Sequence, residues 1–261
     1  MNLDKINQQK IKNKVTKQGF YLLPNLITTA ALFFGFFSIL HAMNGKFEMA
    51  AISIFIALCM DGLDGRVARL TNTSSKFGAE YDSLSDMVSF GVAPAMIIYI
   101  WALKPLGRLG WVAAFIYCAC AAFRLARFNT KLDLNEKKYF YGLPSPAAAA
   151  LIASFIWVCI DHGISGNDKF LNFFQMEWFA WLMTIIAALS MVTDLHYYSG
   201  KDLNLRNSVS TLWILFIILA FALVSHSPAE IFFLMLFGYL ISGYISYFKE
   251  NFRIKNDREK K

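Results

Sequence analysis

The sequence predicts an all-α protein, a polytopic membrane bundle of about eight transmembrane helices. Three observations lead there. First, 57% of the 261 residues are hydrophobic, 25 of them Phe, and only 16% are charged, whereas a soluble domain usually carries about a quarter charged residues. Second, the apolar residues come in long blocks, the mean hydropathy is +0.44, and roughly 20 apolar residues let a helix cross the ~30 Å hydrocarbon core. Third, the charges collect at the ends of these blocks, far more on one side of the bundle than on the other.

In chain order, a polar, basic tail covers residues 1–20, a single transmembrane domain residues 21–248, and a second basic tail residues 249–261. The spans are expected near 22–43, 48–70, 82–104, 109–128, 145–161, 177–193, 210–225 and 229–248. The apolar block behind Lys17 is longer than a signal-peptide core, so no cleaved targeting segment is expected. The fifth span is short and opens with Gly142-Leu143-Pro144-Ser145-Pro146; without it the two termini would lie on opposite sides. The last two spans, within 210–248, carry no motif.

Charge orients the bundle. With an even number of spans, one side collects both tails and the connections after spans two, four and six, and with them 21 of the 25 Lys and Arg residues. Lys46, Lys104, Arg108 and Lys169 remain opposite. The positive-inside rule then puts both termini on the cytoplasmic side of the cell membrane. The net charge of +7 follows from this split. Nucleic-acid binding would need a continuous basic face, and these residues are spread over span junctions, so anionic lipid headgroups are the better partner. Cys59, Cys118, Cys120 and Cys159 all fall in apolar blocks with no CxxC pair, and are read as packing residues.

The chemistry lies where span two ends and span three begins. Asp61, Asp64, Gly65 and Ala68 stand at i, i+3, i+4 and i+7, one helix face; Gly78, Asp82 and Asp86 at i, i+4 and i+8 share another. Two antiparallel helices joined by the polar turn 71–75 bring the four carboxylates together. Converging carboxylates at a membrane repel and protonate unless a cation neutralises them. Hard divalent cations such as Mg²⁺ or Mn²⁺ take oxygen ligands and reach substrate phosphates. Gly65 and Gly78 would let a bulky ligand approach the backbone, and Arg69 is placed to hold a phosphate. One such pair of aspartates could merely cap helices or pair with Arg66 and Arg69, but the whole pattern argues against that. An ion pathway would want acids near the midplane, not beside a turn.

The pattern D-x2-D-G-x2-A-R-x8-G-x3-D-x3-D is complete in Asp61, Asp64, Gly65, Ala68, Arg69, Gly78, Asp82 and Asp86, and it resembles the signature of the CDP-alcohol phosphotransferases. Residues 77–94, with Pro24-Asn25 and Thr28, the stretch 122–129 and Gly142–Pro146, make it most similar to the membrane-embedded branch that uses serine as acceptor. Asp194-Leu195-His196 departs from that branch, where a basic side chain is expected. The resemblance implies six core helices around a polar cavity with two further C-terminal spans, a homodimer, and CDP-diacylglycerol as donor. It implies that Asp61, Asp64, Asp82 and Asp86 ligate a pair of divalent cations, Mg²⁺ or Mn²⁺, and that Asp86 is also the general base. Asp61, Gly65, Ala68, Arg69 and Gly78 would line the CMP moiety, and Asn25 and Thr28 would touch the diphosphate, although as helix-start residues they need no function.

The expected reaction is transfer of the phosphatidyl group to the hydroxyl of L-serine, with CMP leaving. Glycerol 3-phosphate and inositol phosphate are the rival acceptors, and a non-catalytic scaffold that binds cations is the rival class. For the acceptor, Arg124 and Arg127 could hold a carboxylate with Asn129 or Ser145 nearby; equally, the two arginines could face lipid phosphates. A phosphohistidine route needs His-x-Lys, which His41, His162, His196 and His226 all lack. The aromatic residues of spans six to eight are expected to pack or to face lipid.

Overall fold

The computed structural model describes residues 3–71, 73, 75–131, 139–170, 174–198, 218–219, 222 and 224–259. The first two helices, α1 (Leu3–Met43) and α2 (Phe47–Leu70), form a hairpin. Its turn closes as a Schellman cap: the Lys46 N–H donates to the His41 carbonyl at 2.9 Å and the Gly45 N–H to the Ala42 carbonyl at 3.0 Å. Gly45 sits at φ +71°, where a Cβ would be strained. The helices then pack along their length through small residues. Ala42, Ala50, Ala51 and Ala57 are fully buried, and the Ser38 hydroxyl donates to the Ala50 carbonyl at 2.6 Å. Small side chains and interhelical hydrogen bonds are how helices associate where lipid removes the hydrophobic drive between them.

From α2 the chain turns through residues 71–75 into a single apolar rod, Lys76–Leu106, longer at both ends than the expected span 82–104. It begins as α3 (Lys76–Asp86), widens into a π-helical stretch at Met87–Val92, regains α geometry as α4 (Ala93–Ile98), and ends through a second π-helical turn, Tyr99–Leu103, and a 3₁₀ turn, Lys104–Leu106. Pro94 accounts for the first widening. Its ring would collide with the carbonyl four residues back, that of Phe90, and it offers that carbonyl no N–H. The Phe90 carbonyl instead accepts from the Tyr117 hydroxyl at 3.3 Å, which ties the rod to α5 (Arg108–Lys131).

Beyond α5 come α6 (Ser145–Asp161), α7 (Met176–Val192) and α8 (Pro228–Glu259). Two short antiparallel ribbons close opposite ends of the bundle: Tyr139–Tyr141 pairs with His196–Tyr198, and Lys169–Phe170 with Phe174–Gln175. The first joins the α5–α6 connection to the segment after α7.

The expected fifth span is α6, and it is the centre of the molecule. Residues 148–156 are buried without a break, and α6 packs against α2, α7 and α8. A helix apolar on every side is a buried one. With protein around it, its 17 residues need not match the thickness of lipid. Among the described residues, Leu22–Met43, Lys76–Leu106, Arg108–Thr130 and Pro228–Lys249 are long and apolar enough to cross a membrane. Their outward faces carry exposed Phe33, Phe36, Trp111, Phe115, Phe123 and Leu234, as lipid-facing surfaces do. The span expected at 210–225 lies mostly outside the described residues.

Candidate active site

The α2–α3 connection is closed by its own polar side chains. The Thr73 N–H donates to the Ala68 carbonyl at 3.1 Å, and the Thr71 and Thr73 hydroxyls are hydrogen-bonded at 2.6 Å. Ser75, in extended geometry, caps α3 by accepting from the Gly78 N–H at 3.0 Å, as serine does at a helix start. This tight return brings the acid-bearing parts of α2 and α3 to opposite walls of a common cleft.

The acids meet there. Carboxylate oxygens of Asp61, Asp64 and Asp82 lie within 4.8 Å of one another. Asp61 also hydrogen-bonds Asp86, one turn further along α3, and Asp64 hydrogen-bonds Asp82. Carboxylates in contact need a proton or a cation between them. A compact donor set made only of carboxylate oxygens fits a hard divalent cation such as Mg²⁺ or Mn²⁺ and offers nothing to a soft metal.

Beside the acids a cleft of about 240 Å³ opens, and Asn25, Thr28, Gly65, Ala68, Arg69 and Gly78 all line it with Asp64 and Asp82. Asp61 does not line it. At Gly65 a Cβ would meet no protein atom within 4 Å, so glycine there leaves ligand space and is not required by packing. At Gly78 a Cβ would come to 3.1 Å from Ser75 Oγ and 3.3 Å from Asn25 Oδ1, so glycine lets α1 approach α3. Arg69 is exposed and anchored by Nε to the Gly65 carbonyl at 2.9 Å, at the cleft mouth.

Thr28 does more than line the cleft. It is buried, its hydroxyl donates to Asp64 Oδ2 at 2.6 Å, and its carbonyl accepts from Ser85 Oγ at 3.1 Å. One turn on, Ser89 Oγ donates to the Ala31 carbonyl at 3.1 Å, and Thr29 Oγ1 lies 2.9 Å from the Tyr81 hydroxyl. This polar seam clamps the acid-bearing rod to α1. Sequence reading missed it, although Tyr81, Ser85 and Ser89 at i, i+4 and i+8 on an apolar helix are its signal.

The four acceptor candidates separate. Arg124 lies within electrostatic reach of the carboxylates of Asp86 and Asp61, and its Nη1 donates to Ser145 Oγ at 2.8 Å; Ser145, fully buried, opens α6. Arg127 turns the other way, pairing with Asp194 and donating to the Val192 carbonyl at 3.3 Å. Asn129 donates to Ser83 Oγ at 2.9 Å and so braces α3 against α5. The Asp194 carboxylate, noted in the sequence only as a departure, is thus the partner of Arg127.

Comparison with known proteins agrees with this geometry. The family model described as CDP-alcohol phosphatidyltransferase matches residues 21–192. A Helicobacter pylori protein named CDP-diacylglycerol–serine O-phosphatidyltransferase is 37% identical over 230 residues, 86% of this chain and 90% of its own length. Proteins of the same name from Methanocaldococcus jannaschii, 35% identical over 72% of this chain and 76% of theirs, and from Saccharomyces cerevisiae, 38% identical over 58% of this chain and 62% of theirs, are also similar. A match of that extent, over the helices that carry every acid of the cluster, makes the chain a member of the CDP-alcohol phosphatidyltransferase family and an integral membrane protein.

Proposed function

We propose that the chain transfers the phosphatidyl group of CDP-diacylglycerol to the hydroxyl of L-serine, giving phosphatidylserine and CMP. The observation that carries this reading is the cluster of four aspartates, with a partly buried arginine, Arg124, within electrostatic reach of Asp86 and Asp61 as a candidate receptor for an acceptor carboxylate. The names of the relatives support the same donor and acceptor.

Asp61, Asp64 and Asp82, with Asp86, would hold one or two divalent cations, Mg²⁺ or Mn²⁺, which when bound supply charge neutralisation and Lewis-acid polarisation at the diphosphate. The remaining steps belong to side chains. Arg69 and the backbone at Gly65 and Gly78 hold the nucleotide in the cleft, and Asn25 the diphosphate edge. Arg124 orients the serine carboxylate. Asp86 accepts the proton of the serine hydroxyl as its oxygen bonds to the phosphorus carrying diacylglycerol; the bond from that phosphorus to the CMP oxygen breaks, and CMP leaves with the electron pair. A carboxylate is a weak base for an alcohol, so proton removal accompanies attack. The basic excess at this end of the bundle supports a cytoplasmic active site with both termini on that side, and we take the working unit to be a homodimer.

The test is CMP release by purified protein in mixed micelles of CDP-diacylglycerol with Mn²⁺ or Mg²⁺, comparing serine, glycerol 3-phosphate and inositol phosphate. Serine-dependent release that falls by about 10²–10⁴ in Asp86→Asn is expected for a lost general base. Release driven by another acceptor would discard serine and keep the reaction class. No metal-dependent release with any acceptor would leave a cation-binding scaffold.

A further inference from the structure

Gly142-Leu143-Pro144-Ser145-Pro146 opens α6, and its five residues are fixed to the end of α7. Gly142 sits at φ +80°, and a Cβ there would come within 2.3 Å of the Met191 carbonyl oxygen, so glycine is what lets the chain lie so close. Backbone bonds hold it there: the Gly142 N–H donates to the Leu195 carbonyl at 2.9 Å, and the Leu143 N–H to the Ser190 carbonyl at 2.8 Å. The Leu143 side chain is buried. Pro144, at φ −56° and ψ 134°, immediately precedes α6, and Pro146 stands in its first turn, where an N–H would have no helical partner. Between the two prolines, Ser145 is fully buried, and its Oγ accepts from Arg124 Nη1 at 2.8 Å.

That bond selects an edge of the guanidinium. Arg124 Nε is buried with no hydrogen-bond partner, and a buried donor left unpaired is costly unless a ligand accepts from it. Nε lies on the edge away from Nη1, where two parallel N–H groups form the fork that takes both oxygens of a carboxylate. Helix α5 is tied to the acid-bearing rod on both sides of Arg124. The Tyr117 hydroxyl donates to the Phe90 carbonyl at 3.3 Å, and Asn129 Nδ2 donates to Ser83 Oγ at 2.9 Å. These two ties bracket Arg124 on α5 and Asp86 on the rod. We infer that Ser145 is a positioning residue: by holding Arg124 Nη1 from a pinned segment, it presents the Nε edge to the carboxylate of the acceptor, without touching the acceptor itself. The inference rests on the proposed transfer to serine and adds what aims the arginine. A long side chain fixed before binding loses less rotamer freedom when the ligand arrives, so the gain appears as affinity for acceptors that carry the carboxylate.

The experiment measures kcat and KM for serine and for serinamide, which lacks the carboxylate, in the full chain with CDP-diacylglycerol and Mn²⁺. The proteins are the wild type, Ser145→Ala, Ser145→Cys, Arg124→Lys, and Ser145→Ala combined with Arg124→Lys, with Ser154→Ala as control. In Ser145→Ala the serine KM should rise about tenfold, as for one hydrogen bond to a charged group, with kcat and the KM values for CDP-diacylglycerol and serinamide near wild type. Ser145→Cys keeps a weaker acceptor in the same place and should fall between the two, so either variant can break the inference. On the Arg124→Lys background Ser145→Ala should change nothing further, whereas a Ser145 hydroxyl that bound the acceptor directly would lose the same factor again. Ser154, also buried in α6 but donating to the Leu151 carbonyl at 3.1 Å, should be silent when replaced by Ala. An unaltered serine KM in the Ser145 variants overturns the inference, as does additivity with Arg124→Lys. Equal rises for serine and serinamide also overturn it, since they mark a packing effect. If the wild type releases no CMP with serine, or does not prefer serine to serinamide, the reading of serine held by Arg124 falls first and takes this inference with it. If Arg124→Lys raises the serine KM and the Ser145 variants do not, only the inference falls.

Discussion

The acid cluster and the arginine near it are built on different plans. The acid side is almost a unit in itself: two consecutive helices, a connection of a few residues closed by its own threonines and Ser75, and one buried hydroxyl, Thr28, reaching in from α1. The arginine side is assembled from distant pieces: Arg124 near the end of α5 and Ser145 at the start of α6, with Asp194 after α7 drawing Arg127 away. The contrast teaches which features can vary independently. Under the proposed function, a change in the acid hairpin alters handling of the donor and is expected with every acceptor. Under the same proposal, a change on the arginine side alters the acceptor alone, because neither α5 nor α6 bears a carboxylate of the cluster.

The sharpest break of that contrast is Asp64→Asn. Asp64 is the buried member of the cluster and touches Thr28 and Asp82. Metal-dependent CMP release should drop by about a hundredfold or more with any acceptor, given the several kcal/mol a catalytic cation supplies, while serine KM measured on the residual rate stays near wild type. A serine KM that moved with it would mean the two sides are not separable.

Next in size is Thr28→Val, nearly the same shape without the hydroxyl. Asp64 Oδ2 loses its 2.6 Å donor, and such outer partners typically hold about 10–100-fold of metal affinity. The Mn²⁺ concentration for half-saturation, read from the free-ion signal in electron paramagnetic resonance, should rise about tenfold. Thr28→Ser should restore it, which a purely packing role for the threonine would not predict. Smaller again is Asn129→Ala, which removes the donor to Ser83 at 2.9 Å beside Asp82. Overall CMP release should fall about threefold to tenfold, the scale of one ordinary hydrogen bond, for all acceptors alike, because Asn129 braces the acid hairpin although it sits on α5.

The acid side was legible in the sequence because its geometry is helical periodicity: i, i+3, i+4 and i+7 on one helix and i, i+4 and i+8 on the next suffice to converge four carboxylates. The arginine side was legible only as a set of candidates. Arg124 and Arg127, three apart, share one helix face, so periodicity cannot say which turns to the acids; the choice falls to Asp194, a residue 67 positions away that captures Arg127. Likewise the length of α6 argued against a span until its burial showed that protein, not lipid, surrounds it.

The finest distinction is between those two arginines. The Arg127–Asp194 pair is exposed, with side-chain exposures of 32% and 70%, so solvent screens it and it is worth at most about 1 kcal/mol. Asp194→Ala should therefore lower the thermal midpoint by a few degrees or less, an order-of-magnitude expectation for so small a loss, and leave kcat/KM for serine within about twofold. Arg124→Lys, by contrast, keeps the charge but removes the planar fork, and should raise serine KM without a comparable loss of stability, since a lysine cannot bind a carboxylate through two parallel N–H groups. If Asp194→Ala instead impaired serine saturation as strongly as Arg124→Lys, Arg127 would belong to the acceptor site, and the ion pair would be the device that aims it.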